Sequence, residues 1–439
     1  MQCATINDWT QRYRNALALD VIKQQAVIPG VPVEGLDRDE IEVACLRLET
    51  ALKKIFVPTT RCCSVIQAEI ERALAHALRV YTDPKAVLTA AYQGVPFIEP
   101  YTPTLLTGPA GTGKSELRKA LQRVLSGSRL LRIDESHPMV PLIDHAEVIV
   151  GKQRSIGGVL RPLAGPEIAA GRVRIKEPEL PGQCARWQRM CGTCLLVADE
   201  FQFLAQSAGA SALITRTLLA IADIGLPWLA IGNYSMCHKL LARPSEDTQR
   251  LLGRPTLLLP DPPESCDWHA TLAEYHKVCS QVVSFKLDDF FRELWNLCAG
   301  LKREVVKILV HAYRIARLHG RVQFDWSDVK AAFASVELFA LRRDVNLLIA
   351  YAAQGGVLRS DLRCPFSGAE ISAAHDRYAE QLRMARAERV TASVLDSALT
   401  APERNTLAIV QARLCDQPMD PTAEIIPIKR PKKKTLKDL

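Results

Sequence analysis

GPAGTGKS, residues 108–115, is a complete G-x-x-x-x-G-K-[ST] loop, and its surroundings decide the fold. Ahead of it lies a short apolar run, residues 103–107 (PTLLT). Behind it, in residues 116–125, Leu117, Ala120, Leu121, Val124 and Leu125 recur at helical spacing. A strand, a glycine-rich turn and a helix N-terminus in that order gather backbone N–H groups and the positive end of a helix dipole around one anion. Glycines at 108, 111 and 113 let the chain turn inward at little steric cost. The expected ligand is a nucleoside triphosphate, ATP, held by Gly108, Gly111, Thr112 and Gly113, with Lys114 reaching the β and γ phosphates and Ser115 ligating Mg2+.

A second apolar strand, residues 194–198 (CLLVA), runs into the pair Asp199-Glu200. Asp199 at the strand end would hold the Mg2+ shell, while Glu200 one residue on would orient and deprotonate the attacking water, which favours hydrolysis over transfer to a small molecule. The same two acids would also suit the start of a following helix. A third strand, residues 226–232 (LPWLAIG), ends in Asn233, placed to contact the γ-phosphate or the lytic water, although Gly-Asn is also an ordinary turn signal. Arg243, Arg250 and Arg254 then precede a last short strand, residues 256–260 (TLLLP). An arginine here would complete the site of a neighbouring subunit, where its planar fork stabilises developing charge; Arg254 is the first choice and Arg250 the second, against a solvated basic face.

This order of elements resembles the AAA+ ATPases, and more narrowly the transposition regulators TnsC and TniB of bacterial mobile elements. The resemblance covers roughly residues 55–345. It rests on LLVADEFQF at 195–203, IFVP at 55–58 ahead of a helix, the arginine leading into LLLP, and AGLKR at 299–303 opening a helix-rich lid. One departure is the longer insert at residues 138–190. The implied activity is ATP hydrolysis by a regulator that assembles on double-stranded DNA as a ring or helical filament and links a target-selection protein to transposase subunits. At the lid start, Lys302 or Arg303 would point a second cation at the γ-phosphate or stay solvated. In the insert, Lys152, Arg154, Arg161, Arg172, Arg174 and Lys176, with Gly157-Gly158, are the donors that sequence-independent phosphate binding uses, and the resemblance implies a DNA backbone there.

The fold class expected is α/β: a parallel central sheet with a helical lid and a helical C-terminal appendix. The divisions expected are a helical front piece at residues 1–54, with Asp37 capping a helix to Leu52, a nucleotide domain at 55–283, a lid at 284–345, and an appendix with a basic tail at 346–439. The tail, KRPKKK at 429–434 with Lys437, reads as a DNA arm, a docking peptide for a transposase subunit, or solubilising charge. The net charge of +8 is modest, so its distribution matters more than its total.

No apolar run reaches membrane-spanning length and the first residues lack the basic-then-apolar order of a signal peptide, so a cytoplasmic protein is expected, and the resemblance implies a bacterial one. The 13 cysteines are odd in number and scattered through apolar stretches, unlike a disulfide framework. Cys191-x-x-Cys194, with Cys184 and His137 or His145, has the spacing of half a zinc site. The other half is missing and Cys194 begins an apolar strand, which favours packed thiols. No nuclease constellation stands out. The rival readings are another DNA-associated AAA+ machine, such as a replication initiator or clamp-loader-like ATPase, and a nucleotide-gated scaffold with negligible hydrolysis.

Overall fold

Among the described residues seven strands organise the chain: β1 (Thr104–Thr107), β2 (Ser128–Leu131), β3 (Val140–Ile143), β4 (Ala146–Ile149), β5 (Leu196–Asp199), β6 (Trp228–Ile231) and β7 (Pro255–Leu257). The computed structural model describes residues 6–93, 101–132, 139–150, 155–201, 210–400, 402–404 and 406, and the chain folds as two units, residues 1–386 and 387–439. In the first unit, five strands form one parallel sheet in the order β4-β5-β6-β1-β7, while β2 and β3 pair antiparallel beside it.

Strands β1, β5 and β6 are buried at every residue, because helices cover both faces of a parallel sheet. That is why these segments read as continuous apolar runs. Alternate residues enter opposite cores: Leu106, Val197, Leu229 and Ile231 face one, packed under the helices Thr60–Val80 and Lys114–Val124. Leu105, Leu196, Ala198 and Ala230 face the other, closed by the helices Leu180–Met190 and Ala210–Ala222.

The third core belongs to the lid, where the long helix Lys302–Leu318 buries Val305, Ile308, Leu309, Ala312 and Ala316. Tyr378, Leu382 and Ala385 of the helix Ala369–Ala398 join the same core, so the lid draws on chain beyond residue 345. In the second unit, Val390, Val394 and Leu395 of that helix are exposed, and Arg404 Nε donates to the Asp396 carbonyl.

The first 54 residues contribute to two cores. Trp9, Tyr13 and Ile22 pack with the sheet domain, where Trp9 stacks on Tyr81 at 5.8 Å and Arg12 forms a buried ion pair of 2.8 Å with Asp144. Ala44, Cys45, Leu48 and Leu52 of the helix Ile41–Lys54 instead pack into the lid core. Between them Ile28 and Phe56 exchange backbone hydrogen bonds of 2.9 and 3.1 Å. The expectation that Asp37 caps this helix is corrected: its N-cap is Glu40, without a side-chain cap, and the Asp37 carbonyl accepts from Arg317 of the lid at 3.2 Å. Tertiary anchoring of the preceding turn replaces a local cap.

The insert between β2 and β5 carries β3, β4 and a set of short helices ending in Leu180–Met190. No described helix is long and apolar enough to cross a membrane.

Candidate functional site

The motif residues converge at the C-terminal ends of β1, β5 and β6, where they line a cleft of about 530 Å³. The loop leaves β1 at Thr107 and enters the helix Lys114–Val124, with Gly111 at φ +90° and Gly113 at φ +95°. These left-handed conformations suit glycine and turn successive amides inward. Gly108 is required for another reason: a Cβ there would lie 2.1 Å from the carbonyl oxygen of Leu258, where β7 leaves the sheet. Thr112 Oγ1 donates to the Pro109 carbonyl at 3.0 Å and braces the turn.

Lys114 folds back over the loop, and its Nζ donates to the carbonyls of Gly108 and Pro109 at 3.0 and 2.7 Å. Burial, with the nearby charge of Arg303, pushes its pKa down to about 8, although Asp199 works the other way. A buried ammonium whose hydrogen bonds among the described residues go to neutral carbonyls fits a site built for phosphate oxygens. Asp199 ends β5 fully buried, with Oδ1 accepting from the Glu200 amide at 2.7 Å and Oδ2 making no hydrogen bond among the described residues. A carboxylate oxygen without a hydrogen bond among the described residues, with Ser115 across the same cleft, fits the hard oxygen donors that Mg2+ prefers.

Glu200 stands at φ +69°, so the chain turns sharply off the strand and the carboxylate departs from the β5 direction. Burial and the charge of Asp199 raise its pKa above the ordinary glutamate value, an adjustment that suits a proton acceptor. Asn233 lines the cleft and also caps the helix Tyr234–Leu241, its Oδ1 accepting from the Met236 amide at 3.1 Å. The side-chain NH2 is the donor left to face the cleft. Lys302 is held by Asp261 at 2.9 Å, whereas Arg303 rests against Gly111 of the loop and donates its backbone N–H to the Gly111 carbonyl at 3.4 Å. Of the two expected lid cations, Arg303 therefore lies against the phosphate loop.

The chain combines the parallel strand order β4-β5-β6-β1-β7 with a phosphate loop after β1, paired acids at the end of β5 and a polar residue after β6. The fold is that of an AAA+ P-loop NTPase. No protein-family model and no curated protein sequence matches the chain. Distant likenesses exist among solved structures. Drosophila ORC bound to DNA has 14% identity and a TM-score of 0.38, covering 90% of this chain and 91% of that one. The ADPNP-ADP complexes of the Aeropyrum pernix ORC2 protein have 16% identity and a TM-score of 0.37, with 68% and 77% covered. The Thermotoga maritima RuvB Holliday junction branch migration motor has 12% identity and a TM-score of 0.33, with 64% and 78% covered.

The other expected residues that are described lie away from this cleft. Arg254 is exposed immediately before β7, and its carbonyl accepts from Leu105 at the start of β1, so it sits at the opposite end of the sheet from the phosphate loop. Arg250 pairs with Asp223 at 3.4 Å, and Arg243 with Asp247 at 3.5 Å. In the insert, Arg161, Arg172, Arg174 and Lys176 are exposed. Arg172 is paired with Glu167 at 3.0 Å, and Glu177 accepts from the Gly157 amide at 3.2 Å, so acids are interleaved with these cations. Lys152, Arg154, His137, residues 202–203 of the DEFQF stretch and the basic tail lie outside the described residues.

The thiols of Cys184 and Cys194 donate to the carbonyls of Leu160 and Gly192, and burial pushes the Cys184 and Cys191 pKa values up to about 12. Among the described residues no group of three His, Cys, Asp or Glu side chains is arranged to hold a metal ion.

Two parts of the site escaped sequence reasoning. The wall facing the loop is built by Phe56, Val57, Cys62, Thr271 and Tyr275, which come from three separate segments and form an apolar slot of the kind a nucleobase occupies. The other is a cluster behind Asp199: Arg118 Nη1 donates to Glu147 Oε2 at 2.7 Å while His145 Nε2 stands 3.6 Å from Glu147 Oε1. Burial works against the Glu147 carboxylate, yet His145 and Arg118 together hold its pKa below the ordinary range.

Proposed function

We propose that this chain is an ATP-dependent DNA-transposition regulator of the bacterial cytoplasm, which hydrolyses ATP, assembles head to tail on double-stranded DNA and links a target-selection protein to transposase subunits. The observation that carries the assembly is the position of Arg254: an exposed arginine at the far end of the sheet from its own loop cannot serve its own cleft, but it can serve that of a neighbouring copy. The transposition role itself is supported by the motif resemblance at residues 55–58, 195–203 and 299–303.

In this scheme Lys114 and Arg303 hold the phosphates, and Ser115 and Asp199 would hold Mg2+, which would supply positive charge to offset that of the phosphates. Glu200 orients the attacking water and takes its proton, with Asn233 as a donor beside it. Across the interface, Arg254 stabilises charge that develops as the terminal phosphoryl leaves, with Arg250 as the second choice. Arg161, Arg174 and Lys176, together with Lys152 and Arg154, follow a phosphate strand without reading bases, and Arg172 must exchange Glu167 to do so.

The test is electron microscopy of the chain on duplex DNA with a slowly hydrolysed ATP analogue, with ADP, and without nucleotide. Assemblies should require the triphosphate form. Arg254→Ala should bind nucleotide as wild type yet lose assembly or DNA-stimulated hydrolysis. Equal oligomers in all three nucleotide states, unaffected by Arg254→Ala, would overturn the proposal.

A further inference from the structure

Arg118 lies one helical turn beyond Ser115 on the phosphate-loop helix, with only 11% of its side chain exposed. Its two polar faces meet two different carboxylates. Nη1 makes a well-formed hydrogen bond of 2.7 Å to Glu147 on β4, while Nε stands 3.3 Å from Asp199 Oδ2. Neither Nε nor Oδ2 forms a hydrogen bond among the described residues, so the second contact is a charge contact without directional bonding. Asp199 is 3% exposed, and a carboxylate this buried needs a compensating cation.

We infer that Arg118 is the counter-cation Mg2+ displaces from Asp199, and that Glu147 is the residue that takes up Arg118 when it does. The inference rests on the nucleotide reading of the cleft. A divalent ion on Asp199 removes the need for the guanidinium there and repels it at short range, in surroundings where charges are poorly screened. Glu147, already bonded to Nη1 on the neighbouring strand, keeps Arg118 from becoming an unpaired buried cation. The trio thus sets the Mg2+ concentration at which the cleft loads. Arg118 acts through Asp199 and is a positioning residue.

The experiment is a Mg2+ titration of fluorescent ATP-analogue binding at fixed pH, an equilibrium readout independent of turnover. Arg118→Gln keeps length and donors but removes the charge, and its half-saturating Mg2+ concentration should fall about tenfold. Glu147→Gln leaves Arg118 with Asp199 alone, and its half-saturating concentration should rise about tenfold. In the double variant the rise should vanish, because Glu147 acts only through Arg118. A damaged fold cannot tighten Mg2+ binding, so the Arg118→Gln result separates positioning from structural support. Lys114→Ala is the control. If Lys114→Ala binds the analogue normally, the nucleotide reading of the cleft fails. If it abolishes binding while Arg118→Gln and Glu147→Gln titrate as wild type, or shift in the same direction, the inference about Arg118 alone is overturned.

Discussion

Gly108→Ala tests whether the phosphate loop is constrained by its ligand or by its own sheet. A phosphate needs only the backbone amide of this residue, and Gly108 does not adopt a left-handed φ, so neither role forbids a methyl group. The obstacle is the Leu258 carbonyl oxygen, 2.1 Å from the position a Cβ would take. Relief requires a shift of about 1 Å in backbone that is pinned by the 2.8 Å hydrogen bond from the Leu258 amide to the Thr107 carbonyl. Overpacking of this kind costs about 1–3 kcal/mol. Weakening the hydrogen bond adds about 1 kcal/mol. Reduced freedom of the unfolded chain returns about 0.4–1 kcal/mol. The net loss is about 2 kcal/mol, read as a lower urea midpoint by tryptophan fluorescence. Because the clash is with backbone, Leu258→Ala should not rescue it. A wild-type midpoint for Gly108→Ala, or rescue by Leu258→Ala, would refute the reasoning.

Glu200→Gln should bind nucleotide with unchanged affinity while steady-state ATP hydrolysis falls by at least about 100-fold, the usual worth of a positioned base; turnover near the wild-type rate would remove Glu200 from that role. Burial, followed by the charge of Arg79, lowers the His76 pKa from 6.5 to about 3, so below pH 6.5 the unfolded chain takes up a proton that the folded chain resists. Stability from this residue is therefore fully present above about pH 6.5 and lost toward pH 3, by up to about 1.4 kcal/mol per pH unit. His76→Gln should flatten the acid limb of urea midpoint against pH, and an unchanged slope would count against it. Arg174→Ala with Lys176→Ala should weaken duplex binding equally across unrelated sequences and reduce the slope of log affinity on log salt by roughly one to two units, measured by fluorescence anisotropy. A loss confined to one sequence would contradict backbone recognition.

The parts of the site legible in the sequence are those whose chemistry sits on contiguous chain. Residues 108–115 and Asp199-Glu200 announce themselves because a strand must precede and a helix must follow, and both periodicities are present. Arg118, Glu147 and the slot of Phe56, Cys62, Thr271 and Tyr275 are brought together only by the topology of the sheet and lid, so no spacing rule finds them. Gly108 was legible as a motif glycine, yet the atom that demands it belongs to residue 258. Asp37 shows the converse, since a sound local capping signal yields to a carbonyl contact with Arg317 far along the chain. Lys302 and Arg303 are equivalent in the sequence, and it is Asp261, far earlier in the chain, that claims the lysine and leaves the arginine at the loop.

The helix Ile41–Lys54 is packed into the lid core, while the helices before it are packed into the sheet domain. Chain therefore passes between the sheet domain and the lid near residues 28 and 56, where Ile28 and Phe56 are stitched together, and Phe56 and Val57 are also walls of the cleft. Any rotation of the lid must carry this early helix as cargo and flex the crossing at the wall of the cleft. A fragment starting after residue 54 would unroof the lid core, baring the faces of the helices Lys302–Leu318 and Cys266–Cys279 that this helix packs on, and would thereby disconnect the lever from its fulcrum.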